Sequence, residues 1–453
     1  MSQFPILEKT SIWPALSEFG KEIVSPQGIF YWSGRAKKES EVNATLGTAV
    51  EDDGKNCYIP MMEGFLSDDF FKKVGGAVFE YAPMPGLLTL REKWRARMLK
   101  NSPELERYAS TPVVTNGITH GIYIMGMMLM NEGEEMLTPE KYWSNYNLIL
   151  PTMQRMKITP IPFFNADGRL DVDGIAQEVE SCAQRQKKVV LLLNFPHNQT
   201  GFTPNEKEAA VLISSLQEIA GKNPDVPFVI VLDDAYEGYV YDGDGIRKSI
   251  FDRVFPKGMK NFSMVKMDGV SKSMLVYGLR VGFITVFANK TDGTEMSEEE
   301  HKGFCEEVAN KLAGVVRGTI SNCSRVGQAM TEAVLDAPEE WEKEVTSKID
   351  LLGRRYRALK SEIEKCYEEY GRGKIWADPF NSGFFCYMNI VPEIDAKDIA
   401  EKLLREYKIG VVPNTVKDKD GKILWNGIRV AFCGVPESQM GRLAKGIFEA
   451  VYR

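Results

Sequence analysis

The stretch VVLLLNFPHNQTGFTPNEKEAAVLISSLQEIAGKNPDVPFVIVLDDAY, residues 189–236, decides the fold class. It contains two short apolar runs, Val189–Asn194 and Phe228–Asp233, on either side of a segment with helical signals. Thr203-Pro204-Asn205-Glu206 offers a Thr N-cap, a Pro at the first helical position and a capping-box Glu. A strand, a helix and a second strand in this order predict a parallel strand pair with a crossover helix.

The same alternation continues on both sides of this stretch. Further short apolar runs that end in polar or glycine residues are Pro112–Thr115, Glu135–Thr138, Ile158–Phe164, Ser263–Asp268 and Gly282–Phe287. The sequence therefore predicts an α/β protein with a mostly parallel, doubly wound sheet. Ligands bind beyond the carboxyl ends of the strands in such sheets, so the residues after each run are the candidates for function.

A second, smaller α+β domain is predicted from the C-terminal part of the chain. Residues 338–370 are rich in Glu, Lys, Arg and Leu with almost no Gly, which predicts one long helix. Strand candidates Gly383–Ile390 and Ile428–Phe432 follow it, and residues 1–60 fit neither pattern. We therefore expect a large domain over 61–337 and a small domain formed by 1–60 with 338–453.

Composition excludes several classes of protein. The 453 residues include 56 basic and 63 acidic side chains, a net charge of −7, and 43% hydrophobic residues, which can fill a core. This balance provides no basic field for nucleic acid or for an anionic membrane surface. The longest apolar stretch, Gly117–Met130, is shorter than the roughly 20 residues of a membrane span, so we expect a buried helix. The N-terminus lacks the basic and apolar regions of a signal peptide, which favours a cytoplasmic location.

Cysteine and histidine usage predicts no metal centre. The seven cysteines are an odd number without a Cys-x-x-Cys pair, and the three histidines are scattered. Neither a disulfide framework nor a zinc site is indicated, and we expect reduced thiols that are mostly in the core.

The strand-end residues include groups that carry chemistry. Asp233 follows an apolar run, where a carboxylate is costly to bury without a positive partner. Lys272 also follows an apolar run; a solvated lysine is the ordinary explanation, but a desolvated amine becomes a nucleophile. Gly117 opens an apolar helix beside Thr115 and Thr119, which is either an ordinary turn or an anion site. With an aromatic face and hydroxyl donors, this set matches what pyridoxal phosphate needs.

The chain resembles the fold-type I pyridoxal-phosphate enzymes, class I/II aminotransferases, and within them the aspartate and aromatic branch. Gly269-Val270-Ser271-Lys272 is similar to the family motif Ser-x-x-Lys, and Arg280 is similar to the arginine that follows this lysine by eight residues. Asp233-Asp234-Ala235-Tyr236 is similar to Asp-x-x-Tyr. Asn198-Gln199-Thr200-Gly201 is similar to Asn-Pro-Thr-Gly. The resemblance implies that Lys272 binds the cofactor aldehyde and acts as general base, and that Arg280 pairs with the phosphate. It also implies that Asp233 holds the pyridine nitrogen, while Tyr236 and Asn198 contact the phenolic oxygen.

Further motifs extend this resemblance to the substrate and to a second subunit. Trp143 in a segment similar to Trp-x-Asn-His would stack on the cofactor ring, and Gly117, Ile118 and Thr119 would form the phosphate cup. Arg429 would bind the substrate α-carboxylate, with Gly47, Asn198 and Trp143 as further substrate contacts. Tyr81 resembles the tyrosine that reaches the phosphate of the neighbouring subunit, which implies a homodimer with shared sites.

Four positions, Gly269, Gln199, Cys323 and Ser324, depart from the family pattern. Gly269 stands where the family has a phosphate-binding serine, with Ser271 as the substitute, and Gln199 replaces the usual proline. Arg317 resembles the arginine that binds the distal carboxylate of aspartate or glutamate, but Cys323-Ser324 replaces the Pro-Pro that follows in the family. A structural arginine is the alternative interpretation of Arg317.

The resemblance implies an aminotransferase that moves an amino group between a dicarboxylic or aromatic amino acid and a 2-oxo acid. A C–S lyase or a decarboxylase on the same scaffold is the first alternative. A non-catalytic effector-binding module is the second, and the intact set of Lys272, Asp233, Tyr236 and Arg429 argues against it.

Overall fold

The computed structural model of the protein describes residues 4–25, 28–418 and 420–453. In this part of the chain the strands are β1 (Val42–Asn43), β2 (Val113–Thr115), β3 (Glu135–Pro139), β4 (Lys157–Ile161), β5 (Val189–Leu193), β6 (Phe228–Asp233), β7 (Phe262–Gly269), β8 (Gly282–Ala288), β9 (Ile375–Ala377), β10 (Cys386–Ile390), β11 (Ile409–Gly410), β12 (Val412–Lys417) and β13 (Ile423–Val430).

The α-helices in the same residues are α1 (Glu18–Glu22), α2 (Ile29–Glu39), α3 (Met61–Gly64), α4 (Asp68–Val74), α5 (Leu88–Leu99), α6 (Gly117–Leu129), α7 (Asn145–Asn147), α8 (Val172–Gln186), α9 (Glu206–Lys222), α10 (Phe251–Val254), α11 (Val270–Ser273), α12 (Glu298–Thr319), α13 (Arg325–Leu335), α14 (Pro338–Tyr370), α15 (Ala396–Lys402) and α16 (Met440–Tyr452). Short 3-10 and π-helical turns connect several of them.

Seven strands form the large sheet, in the order β2-β8-β7-β6-β5-β3-β4. The pairs from β7 to β4 are parallel, and β8 is antiparallel to both of its neighbours. All seven predicted strands are present within a few residues, so the mostly parallel α/β prediction is confirmed. The run predicted to reach Phe164 ends at Ile161, because Pro162 has no N–H to continue the ladder.

Both faces of this sheet are buried. In β5, Val190 and Leu192 belong to one hydrophobic cluster, whereas Val189, Leu191 and Leu193 belong to another. Successive side chains of a strand point to opposite faces, so the two clusters are the two cores on either side of the sheet. This explains why β5 is a continuous apolar run without polar residues.

Helix boundaries follow the capping residues. Ser297 and Glu300 form the expected capping box at the start of α12. The prediction of Thr203 as the N-cap of α9 is wrong, because Asn205 caps that helix in a box with Glu208. The hydroxyl of Thr203 instead accepts a hydrogen bond from Ser382, 2.9 Å away.

A smaller antiparallel sheet has the order β12-β13-β10-β9, and β1 pairs in parallel with β11. The hydrophobic cluster around it contains Trp32, Ala36, Val42 and Ala44 together with residues between Tyr356 and Val451. Residues near the N-terminus therefore pack with the C-terminal part of the chain. The long helix predicted over 338–370 is α14.

Within the described residues, none of the helices has both the length and the apolar character required to cross a bilayer. The apolar stretch from Gly117 is α6, in which seven residues are buried. The prediction of a buried helix there is confirmed. All seven cysteines are free thiols, and six of them are buried.

Candidate active site

A cavity of about 260 Å³ lies at the carboxyl ends of β5, β6 and β7. Asp233 is the last residue of β6, Asn194 follows β5, and Gly269 ends β7 just before Lys272. These side chains meet because neighbouring parallel strands end at the same edge of the sheet. Arg429 of the small sheet and Phe385, the residue before β10, contribute the other wall.

Lys272 lies in α11 with its amine in this cavity. Its Nζ donates to the carbonyl oxygen of Gly47 at 2.7 Å and lies 4.4 Å from the ring centre of Tyr277. Desolvation, with smaller contributions from Arg429 and Arg280, lowers the pKa of this amine to about 8. The lowered pKa increases the fraction of Lys272 that is the neutral amine, which is the form that nucleophilic attack requires.

Asp233 is buried and bonded by neutral donors. Its Oδ2 accepts from the hydroxyl of Tyr146 at 2.6 Å, and its Oδ1 accepts from the backbone N–H of Ala235 at 3.2 Å. Burial raises the pKa of Asp233 to about 6, and these two hydrogen bonds oppose that rise. Asp234 lies 2.9 Å from the ammonium of Lys266 and accepts from Ser249.

Arg429, in β13, is a buried cation with an unused donor. Its Nη2 donates to the carbonyl oxygen of Thr45 at 2.8 Å, its Nη1 contacts Asn198 at 3.4 Å, and its guanidinium lies 4.4 Å from the ring centre of Phe385. The Nε–H has no hydrogen-bond partner within the described residues. A buried donor without a partner is costly, and the guanidinium as a whole borders the cavity, where it is suited to bind a ligand carboxylate.

The start of α6 and Arg280 form a second polar corner. Gly117 has φ 76°, and a Cβ at this position would lie 2.5 Å from Nη2 of Arg280. Arg280 donates to the hydroxyl of Ser271 at 3.1 Å and to the carbonyl oxygen of Tyr277 at 3.2 Å. Ile118 and Thr119 line the cavity beside it. A helix N-terminus beside an arginine is suited to bind a phosphate group.

Asn198 and Tyr236 are held by a chain of hydrogen bonds. The amide of Asn198 donates to the hydroxyl of Tyr236 at 3.3 Å, and its backbone N–H donates to the side chain of Asn194 at 2.8 Å. Gln199 donates to the carbonyl oxygen of Tyr142 at 2.9 Å, so it joins the segment of Asn198 to that of Trp143. Gln199, which stands where the family motif has proline, therefore makes a side-chain hydrogen bond that proline could not make.

The structure brings most of the predicted site residues to this one cavity. Its walls include Gly47, Ile118, Thr119, Trp143, Asn198, Asp233, Tyr236, Ser271, Lys272, Arg280 and Arg429, and Gly117 lies against Arg280. Two predicted residues lie elsewhere in this chain. Tyr81 is 85% exposed, and the exposed Arg317 donates to its neighbour Ser321 at 2.5 Å.

Sequence reasoning assigned no role to several residues that line the cavity. Tyr146, Tyr277, Ile29, Leu46 and Phe385 belong to this group. Tyr146 stands where the motif that contains Trp143 has histidine, and this difference could have identified Tyr146 from the sequence. The three apolar residues gave no signal, because their types are those of ordinary core residues.

A family model described as aminotransferase class I and II matches residues 66–447. The chain is 23% identical over 417 residues to the mitochondrial aspartate aminotransferase of Schizosaccharomyces pombe, covering 90% of this chain and 86% of that one. An aminotransferase structure from Anaerococcus prevotii has a TM-score of 0.78 and 23% identity, covering 97% and 100% of the two chains. Pyrococcus horikoshii kynurenine aminotransferase, solved with PMP, has a TM-score of 0.73 at 16% identity, covering 97% and 98%. The chain belongs to the class I and II aminotransferase family.

The cavity fits the cofactor of that family. The buried carboxylate of Asp233 is suited to a protonated ring nitrogen, and the guanidinium of Arg280, which packs against Gly117 at the start of α6, is suited to a phosphate group. The partly neutral amine of Lys272 is suited to an aldehyde. The protein is an enzyme, a transaminase that depends on pyridoxal phosphate.

Proposed function

We propose that this transaminase moves the amino group of a dicarboxylic or aromatic amino acid to a 2-oxo acid, with the predicted residues in the roles given below. The observation that carries the proposal is the convergence of Lys272, Asp233 and Arg429 on one cavity. Aspartate and kynurenine appear in the names of the similar proteins, in agreement with both substrate types.

Asp233 and the phosphate corner hold the cofactor. When bound, pyridoxal phosphate supplies an electron sink that stabilises negative charge on the substrate Cα. Asp233 would keep the ring nitrogen protonated, Tyr236 and Asn198 would donate to the phenolic oxygen, and Trp143 would cover the ring. Gly117, Ile118, Thr119, Ser271 and Arg280 bind the phosphate.

Arg429 and Lys272 act on the amino acid. The guanidinium of Arg429 donates to the α-carboxylate, which fixes the direction of the Cα–H bond. Lys272 is placed to take the proton from Cα as a neutral amine and would return it at C4′ of a bound cofactor, as its lowered pKa of about 8 allows. Gly47 accepts a hydrogen bond from Lys272 and forms part of the substrate wall.

Two further parts of the proposal concern the whole protein. It acts as a cytoplasmic homodimer in which Tyr81 of each subunit serves the site of the other. The high exposure of Tyr81 and of its neighbour Phe79, 85% and 92%, supports a covering partner. It also consists of the two domains 61–337 and 1–60 with 338–453, in agreement with the cluster that joins Trp32 to Val451.

The test is the Lys272→Ala variant, measured by conversion of bound pyridoxal phosphate to pyridoxamine phosphate with an amino acid alone. We expect conversion to slow by at least roughly 10⁴-fold, because both nucleophile and general base are lost. Lys290→Ala, a lysine that pairs with Glu300 away from the cavity, serves as the control and should convert normally.

Retained conversion in Lys272→Ala would exclude the role of this lysine. Release of pyruvate and ammonia by the unmodified enzyme, without accumulation of pyridoxamine phosphate, would indicate a lyase instead.

A further inference from the structure

A buried ion pair joins the end of β3 to the small sheet. The ammonium of Lys141, two residues after β3, donates to both carboxylate oxygens of Asp378, at 3.1 and 2.8 Å. The two side chains are only 8% and 7% exposed, and Asn389 in β10 donates to the same carboxylate at 2.8 Å. Because desolvation offsets much of the attraction within a buried pair, such a pair is weak evidence for stability alone. A role in fixing the position of the chain is the alternative.

The backbone at Lys141 is held in an unfavourable conformation. Its φ is 60°, in the left-handed region that residues with a Cβ seldom adopt. Such a conformation persists only where the surroundings impose it. The ion pair is one restraint of this kind, and Gln199, which donates to the carbonyl oxygen of Tyr142 at 2.9 Å, is another. Contacts with distant parts of the chain therefore fix the residues that lead into Trp143.

These contacts surround a residue of the active site. Trp143 lines the cavity, and its ring packs edge-on against that of Tyr146, with the ring centres 5.6 Å apart. The preceding Tyr142 packs against Trp425 of β13 in the same edge-on manner, at 5.9 Å. Residues 141–143 therefore lie between the cavity and the small sheet.

We propose that Lys141 is a positioning residue, whose ion pair with Asp378 anchors residues 141–143 to the small sheet and thereby sets the place of the Trp143 ring in the active site. The inference rests on the proposed function, in which Trp143 covers the cofactor ring. Neither member of the pair lines the cavity, so the pair acts through Trp143. The small sheet also carries Arg429, which stands opposite Tyr387 in the register of β10 and β13. One sheet therefore places both the ring cover and the cation for the α-carboxylate.

The first test removes both charges at once. Lys141→Met combined with Asp378→Asn leaves no unpaired charge in the interior, which a single charge removal would do. We expect the dissociation constant of the apoenzyme for pyridoxal phosphate to rise about two- to tenfold, the range of one aromatic stacking contact. The visible circular dichroism of the bound cofactor should weaken, because it depends on the groups around the ring. A purely structural role would lower the melting temperature and leave this spectrum unchanged.

A double-mutant cycle shows whether the pair acts through Trp143. Trp143→Ala should itself weaken cofactor binding, and adding the two charge removals should then change the dissociation constant by less than about twofold, because coupled residues are not additive. Lys360→Met is the matched control, since it breaks the 3.0 Å ion pair of α14 with Asp242 and does not line the cavity. It should change neither the affinity nor the spectrum.

Two outcomes would contradict the inference, and they differ in what they say of the proposed function. An equal loss of affinity in the Trp143 and Trp143→Ala backgrounds would overturn the positioning role alone. Unchanged affinity and spectrum in Trp143→Ala would also remove Trp143 from its proposed place over the cofactor. If the doubly substituted protein does not fold, Asp378→Asn alone, which keeps the shape of the side chain and an acceptor for Asn389, goes through the same cycle.

Discussion

At the scale of single residues, the site differs from the family motif at position 146. The motif has histidine there, whereas this chain has Tyr146, whose hydroxyl contacts Asp233. A tyrosine here donates one hydrogen bond to Asp233 and carries no positive charge at neutral pH. Burial raises the pKa of Tyr146 well above its ordinary value, so the group stays a donor. The ionised state of Asp233 therefore depends on neutral hydrogen bonds.

The Tyr146→Phe variant tests this dependence. Loss of the hydrogen bond removes a contribution that lowers the pKa of Asp233, so that pKa rises above about 6. Affinity of the apoenzyme for pyridoxal phosphate requires the carboxylate, so it should fall as the pH drops through this pKa, and the fall should begin at higher pH in the variant. Affinity is measured by cofactor titration between pH 5 and about 8, because this range brackets the raised pKa of the carboxyl group.

Tyr142→Phe is the matched control for this experiment. The hydroxyl of Tyr142 bonds Asn147 at 2.9 Å and does not contact Asp233. Its pH profile should follow that of the unmodified protein. A Tyr146→Phe profile that also coincides with it would contradict the role given to Tyr146.

Charged residues of the site could be predicted from the sequence, whereas its apolar wall could not. Lys272 and Asp233 follow strong strand patterns, where an ionisable group needs an explanation. Leu46 and Phe385 look like core residues, and their place in the cavity depends on packing between distant parts of the chain. Arg317 matches the motif of the family, yet its surface position leaves its role a prediction.

At the scale of elements, the start of α6 combines a strained backbone with a close contact. Gly117 has φ 76°, and Arg280 lies against its Cα, so an alanine there affects both the turn and the arginine. We expect Gly117→Ala to raise the dissociation constant for pyridoxal phosphate by about tenfold or more, the value of one charged hydrogen bond. Cofactor titration of the apoenzyme measures it.

Gly133→Ala is the control that shows the effect of a left-handed backbone on stability without a contact to Arg280. Gly133 has a similar φ of 81°, but an added Cβ meets nothing within 4 Å. Both variants lose stability through the left-handed backbone, whereas only Gly117→Ala should lose cofactor affinity. Equal affinities in the two variants would show that the contact with Arg280 is unimportant.

Element boundaries were predictable where local chemistry decides them. Ser297 was identified as a cap because its partner Glu300 is local. Thr203 was misassigned because its hydroxyl bonds Ser382, which is 179 residues away in the sequence. Long-range partners of this kind are invisible to local patterns, and Asn205 takes the capping position.

At the scale of the whole molecule, a dimer with shared sites can be tested by mixing two inactive chains. Lys272→Ala should lack the base, and Tyr81→Ala should bind the cofactor weakly. If Tyr81 serves the neighbouring site, a hybrid dimer holds one site with both residues intact, and activity returns on mixing at limiting cofactor. Light scattering establishes the oligomeric state of each sample.

No recovery of activity in a mixture shown to contain hybrid dimers would place Tyr81 outside the neighbouring site.

The division of the chain into 61–337 and 1–60 with 338–453 also stays a prediction at this scale. The pairing of Val42 with Ile409, which local sequence patterns do not reveal, supports it.

The contacts of Thr45 and Gly47 couple cofactor loading to the N-terminal part of the chain. This short segment is held at one end by Arg429 and at the other by Lys272. An amine engaged by the cofactor aldehyde would no longer donate to Gly47 in the same way, whereas the contact of Arg429 with Thr45 does not involve that amine. We therefore expect the backbone at Gly47, more than that at Thr45, to respond to the state of the cofactor.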